Sequence, residues 1–128
     1  MGDLMSRVNI SSGGPFEPVY GYSRAVRVGN QVHVSGTTAR PPDDAKDAYG
    51  QAIASLEIIG KALGDAGASF GDVVRTVVYV TDMVDADRVA RAHREIFGDI
   101  RPASTLVAVT ALLRPELLVE IEAYAIIE

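Results

Sequence analysis

The chain has 128 residues, no cysteine and a formal net charge of −5, with a pI near 5.0. That length suits one domain spanning residues 1–128, able to bury roughly two thirds of its unfolded surface. The lack of cysteine excludes disulfides and thiol nucleophiles. The acidic balance and the scattered arginines argue against a broad nucleic-acid surface, which needs clustered Lys and Arg.

The first residues, MGDLMSRVNIS, lack the apolar stretch of a secretion signal, and no run approaches membrane-spanning length. The expectation is a soluble, cytoplasmic protein. A short strand is expected at Arg7–Ser11. The segment AVRVGNQVHVSG then places two β-branched runs around Gly29-Asn30, a pair suited to the positive φ of a two-residue hairpin turn. ARPPDD breaks the chain after it. From Asp47 to Ala66, the residues Ile53, Leu56, Ile59 and Leu63 recur at helical spacing, and glycines 64 and 67 close the segment. DVVRTVVYVTD reads as a strand. A second helix follows, with Asp82 or Asp85 as N-cap, an apolar stripe of Val89, Ala92, Ile96 and Phe97, and Gly98 as its stop. STLVAVTAL and LLVEIEAYAII are two further strands.

This order makes the fold class α+β, a mixed sheet packed by two helices. Simple alternation puts Val74, Thr76, Val78 and Val80 on one face of the middle strand, with Val73, Val77 and Tyr79 on the other. Leu106 and Ala108 oppose Val107 and Val109 in the same way. Strands apolar on both faces need both faces covered. Two helices cover one face, so a homo-oligomer with clefts between its subunits is expected.

Most chemical motifs are missing. His33 and His93 sit on separate elements without ligand spacing such as HxH or HExxH, so both read as partly buried, hydrogen-bonded histidines rather than metal ligands. The glycines around 64–71 are not followed by the Lys-Ser/Thr of a phosphate loop, and Ser35-Gly36 lacks a GxSxG elbow. DMVDAD opens a helix, where acids favour the positive end of the dipole. Arg24 and Arg27, three apart, face opposite ways. What remains is the last strand, where Glu120 and Glu122 share a face with Tyr124 and Ile126. Two readings stay open: charges that blunt a strand edge, or a desolvated carboxylate with a raised pKa, suited to general acid–base work.

GYSRAVRVGNQVHVSGTT, LGDAGASFGDVVRTVVYVTDM, FGDIRPASTLVAV and LVEIEAYAII together resemble the Rid family (RidA/YjgF). Its members include enamine/imine deaminases and relatives labelled L-PSP endoribonucleases. The resemblance runs from about Arg7 onward. It implies a chorismate-mutase-like (bacillary type) α+β fold, a homotrimer with a central sheet barrel, and sites for a small-molecule ligand in the clefts between subunits. No metal or organic cofactor is implied. In the deaminases, an arginine after RPA binds the substrate carboxylate; here that position is Ser104. The family's neighbouring cysteine falls at Leu106, and a helix asparagine at Ala90. The pocket tyrosine matches Tyr22, and the acid that handles water matches Glu120.

By this resemblance Glu120 is the catalytic acid/base. Tyr22, Arg24, Ser104 and Thr105 are the ligand-binding candidates, and Arg101 is a second possible source of a cation. The expected function is hydrolysis of imine or enamine C=N bonds. The alternative is a non-catalytic trimer that binds or senses a small ligand, favoured by the missing arginine. The net charge of −5 and the absence of a basic stripe weigh against a ribonuclease.

Overall fold

The computed structural model describes residues 6–128. Six strands, β1 (Arg7–Ile10), β2 (Ala25–Val28), β3 (Gln31–Thr37), β4 (Val73–Val80), β5 (Ala103–Ala108) and β6 (Val119–Ile126), form one sheet in the order β1-β2-β3-β6-β4-β5. Two helices, α1 (Ala48–Asp65) and α2 (Ala86–Phe97), complete the α+β architecture.

Local chemistry explains most boundaries. Gly29, at φ 59°, makes the β2–β3 hairpin turn where a side chain would be strained. Asp47 caps α1 by accepting the Gly50 N–H at 2.9 Å. Asp82 accepts the Val84 N–H at 3.0 Å and starts a 3₁₀ turn, Met83–Asp85, that runs directly into α2. Both candidate caps thus sit at one entry, Asp82 as the side-chain acceptor and Asp85 as the flanking residue.

Topology puts both helices on one face. β3 and β4 each run antiparallel to β6, which lies between them, so they are parallel to each other and α1 is their crossover. β4 and β5 are parallel neighbours joined by α2. Both crossovers step the same way across the sheet, and the right-handed rule then sends both helices to the same side. There Val32, Val78, Val119 and Ile121 pack with Leu56, Ile59, Leu63 and Phe97, all fully buried. Emptying such a site, as in Phe97→Ala, costs about 3–5 kcal/mol. Val28, Val107 and Ile126, on the opposite face, stay 39%, 38% and 41% exposed.

The middle strand departs from simple alternation. Val73 pairs with Ala125 and Arg75 with Tyr124, so Val74 is the extra residue of a bulge. Val73 therefore turns to the helices and is buried, while Val74 is 45% exposed. The facing expected for these two valines is reversed. From Thr76 onward the alternation holds, with Thr76, Val78 and Val80 buried.

Gln51 anchors the entry to β6. Its side-chain nitrogen donates to the carbonyls of Asp44, Lys46 and Glu116, and its oxygen accepts the Leu118 N–H at 2.9 Å. This fully buried amide on α1 thus fixes the loop that leads into β6 and Glu120.

Candidate functional site

The Glu120 site lies on the sheet face without helices, and a second bulge builds it. Val34 pairs with Ala123 and Thr37 with Ile121, so β3 carries one residue more than β6 between these points. Gly36 lies in that irregular stretch, and the Glu120 carboxylate rests against its Cα. A Cβ on residue 36 would overlap that carboxylate and come within 3.0 Å of its Cδ. Only glycine leaves room. A lone glycine inside a strand marks close approach of this kind, and that was the signal available in the sequence.

Arg24, just before β2, lies beneath this arrangement and is only 5% exposed. It is no surface arginine. Its Nη1 donates to the Gly36 carbonyl at 2.7 Å and to Thr37 Oγ1 at 2.8 Å. Its Nη2 donates to the Tyr22 hydroxyl at 2.7 Å. The guanidinium thereby ties Tyr22 to the backbone under Glu120. Arg27 points away, donating to the Ala66 carbonyl at the end of α1, so the two arginines do face opposite ways.

Tyr22 is presented by a tight π-helical turn, Glu17–Gly21, closed by its own N–H to the Glu17 carbonyl at 2.9 Å. The buried Glu17 carboxylate organises the loop before that turn. It accepts from the Ser12 hydroxyl at 2.6 Å and from the N–H groups of Ser12 and Gly14. Burial disfavours its charge, but these bonds outweigh burial and hold its pKa below the ordinary carboxylate value.

Glu120 is half-buried, and its pKa is raised, first by desolvation and then by the nearby Glu122 carboxylate; the Arg24 charge opposes this. Glu122 itself is held by structure. It accepts from the Tyr79 hydroxyl at 2.6 Å and from the Tyr124 hydroxyl. The Tyr79 bond to that carboxylate pushes the phenol up to about 12. His33 is exposed; its ring packs edge-on against Tyr124 at 5.5 Å, and Nε2 lies 3.3 Å from Gln31 Oε1.

The structure brings Tyr22, Arg24 and Glu120 together, but not Ser104 or Thr105. Thr105 shares the face of Glu120 and meets Arg75 Nη2 at 3.4 Å. It lines up with Val77 and, beyond it, Glu122, about 10 Å away across two strand spacings. Ser104 aligns with Thr76 and Ala123, on the helix side. Within one chain, Ser104 and Glu120 are on opposite faces of the sheet. Arg101 is exposed and takes a positive φ of 55° in the turn before β5. Among the described residues, no group of three or more His, Asp or Glu could hold a metal ion, and no helix is long and apolar enough to cross a membrane. One cavity of the single chain, of about 210 Å³, lies between α1 and the loop at Ser11–Ser12. A second, of about 340 Å³, lies by Arg27 and Gly67. Glu120 lines neither.

Residues 14–127 match the family model described as endoribonuclease L-PSP. A mouse protein named 2-iminobutanoate/2-iminopropanoate deaminase is 34% identical over 109 residues, 82% of this chain and 80% of the relative. A RutC family protein of Pyrococcus abyssi is also 34% identical, over 85% of this chain and 88% of its own length. The crystal structure of a Mycobacterium tuberculosis member of the YjgF family superposes with a TM-score of 0.89 at 50% identity. That match covers 95% of this chain and 100% of the other.

Proposed function

The chain belongs to the Rid family, the family of YjgF and the L-PSP proteins, and from that premise we propose that it hydrolyses small imines at clefts between the subunits of a homotrimer. The observation that carries the reading is Glu120: a half-buried carboxylate with a raised pKa, seated on Gly36 beside the Arg24–Tyr22 pair. A base brought nearer to neutrality by desolvation can accept a proton from water and return it later. Glu120 takes a proton as water attacks the C=N carbon, and passes it to the nitrogen. The carbinolamine hydroxyl then gives its proton to Glu120, which passes it to the nitrogen; the C–N bond breaks, and ammonia leaves behind a carbonyl product. Tyr22, held by Arg24, hydrogen-bonds the ligand.

The trimer is part of the same proposal. The helix-free face keeps Val28, Val107 and Ile126 more than a third exposed, which supports packing of sheet against sheet at the centre. A second chain would also supply the missing wall of a cleft at Glu120. Light scattering at micromolar concentration should return three times the chain mass; a monomer would remove the cleft.

Ser104 supports a second reading, ligand binding without turnover. A bidentate arginine–carboxylate pair is worth roughly 1.5–3 kcal/mol and fixes orientation, and a serine hydroxyl replaces neither effect. Small imino acids such as 2-iminobutanoate should therefore be poor substrates. Ser104→Arg should improve them only in part, since Leu106 and Ala90 also depart from the deaminase pocket. Ammonia release from 2-iminobutanoate and from uncharged imines, in the wild type and in Glu120→Gln, is the test. The hydrolase reading expects release that Glu120→Gln abolishes with the trimer intact. Release unchanged by that substitution would refute it, and no release from any imine would leave the binding reading.

A further inference from the structure

A second polar cluster lies on the helix side of the sheet, at its β5 edge, on the face opposite Glu120 within one chain. Thr76 and Ser104 are register partners on β4 and β5, with hydroxyl oxygens 2.7 Å apart. On its other side, Thr76 Oγ1 is 2.8 Å from His93 Nε2 on α2. Thr76 is fully buried, Ser104 is exposed, and the half-buried His93 ring lies 4.7 Å from that of Phe97. The three side chains form one hydrogen-bonded line, His93–Thr76–Ser104, with the buried Thr76 at its middle and the exposed Ser104 hydroxyl at one end. Among the described residues, no charged group hydrogen-bonds to any of the three.

This line has two proton orders. With the imidazole proton on Nδ1, His93 Nε2 accepts from Thr76 and Thr76 accepts from Ser104, so Ser104 offers lone pairs outward. With the proton on Nε2, every bond reverses and Ser104 offers its own O–H. Burial lowers the His93 pKa below its ordinary value and so favours the neutral ring, which can take either order. The end of the line is therefore a donor or an acceptor on demand, but it carries no net charge. An uncharged polar group is met fully. A carboxylate would lose hydration and gain no counter-charge.

We propose that Ser104, backed by Thr76 and His93, is the anchor for an uncharged hydrogen-bonding group of the ligand, such as a carboxamide, ketone or hydroxyl. This rests on the reading above that the ligand lies between copies of the chain. Ser104 and Glu120 face opposite sides of one sheet, so the two ends of the ligand would meet Ser104 of one copy and Glu120 of another.

The test compares two probes of equal size, 2-oxobutanamide and 2-oxobutanoate, titrated into the intact protein and followed by NMR. The amide should shift the backbone signals of Ser104 and Thr76 and the ring signals of His93, and should bind at least about tenfold more tightly than the acid. Ser104→Ala, an exposed site that folding tolerates, and the near-isosteric Thr76→Val should each remove that preference. Ser104→Arg should invert it, and Arg101→Ala should leave it unchanged. Equal or tighter binding of the acid would overturn the proposal. So would acid binding lost in Arg101→Ala, shifts confined to other residues, or no binding of the amide. The readout needs no turnover. A chain that binds the amide but releases no ammonia from any imine would refute the hydrolase reading and keep this one.

Discussion

Glu120 and Glu122 share one face of β6 two residues apart, yet Glu122 is held by two tyrosine hydroxyls while Glu120 lies against bare backbone at Gly36. The pair is thus divided into a carboxylate with structural partners and one whose side chain accepts no hydrogen bond from the described residues. Glu122→Gln keeps an acceptor oxygen but removes the carboxylate charge that raises Tyr79, so the phenol should fall from about 12 toward its ordinary 10. Ultraviolet titration reads this directly. The Glu120 pKa should fall as well, since its like-charged neighbour is gone, while any activity stays within a few-fold. A Tyr79 titration unmoved by the substitution would show that Glu122 is not what holds it.

Glu120→Gln should stabilise the protein, in a pH-dependent way. Folding raises the Glu120 pKa, so the folded chain binds this proton more readily than the unfolded one. Below about pH 4 both states are protonated and the group costs nothing. As the pH climbs through the raised folded value, keeping the carboxylate charged in place lowers stability. Urea midpoints for Glu120→Gln should therefore exceed the wild type at pH 7–8 and converge with it near pH 3–4. A constant difference at every pH would contradict this.

Glu17→Gln should do the opposite. The folded pKa of Glu17 is lowered, so its contribution is present above the ordinary carboxylate range and disappears as the pH falls through the lowered value. The substitution should cost about 1.5–3 kcal/mol at neutral pH, the range for hydrogen bonds to a charged group, and the cost should shrink as the pH falls below the ordinary carboxylate range. Because the loop it organises leads to Tyr22, ligand affinity should weaken alongside.

Gly36→Ala places a methyl group where the Glu120 carboxylate lies. The carboxylate must leave that position, and a displacement of about 1 Å at a reacting group can cost about a hundredfold in rate. Catalysis or ligand binding at Glu120 should fall by that order while the far-ultraviolet spectrum and the oligomeric state remain those of the wild type. Full activity in Gly36→Ala would mean that Glu120 works from elsewhere.

The sequence by itself determined the order of the main strands and helices and most of their facing, because periodicity and local chemistry decide both. The hairpin at Gly29-Asn30, the helix that starts at Asp47, the apolar stripe through Val89, Ala92 and Phe97, and the alternation along β6 are all local signals, read within a few residues. The resemblance added the family, and with it Tyr22 and the choice of Glu120 over Glu122. Tertiary structure alone decided what depends on register. One extra residue at Val74 reversed the facing of Val73, and another near Gly36 opened the space for Glu120. Arg24 is buried because three acceptors converge on it from Tyr22, Gly36 and Thr37, up to 13 positions away in the chain. His93, Thr76 and Ser104 form a line only because α2 packs over β4 while β5 pairs beside it in parallel. Side-chain period is a local property, whereas bulges and hydrogen-bonded clusters arise where distant segments meet, and no window along one strand contains both partners.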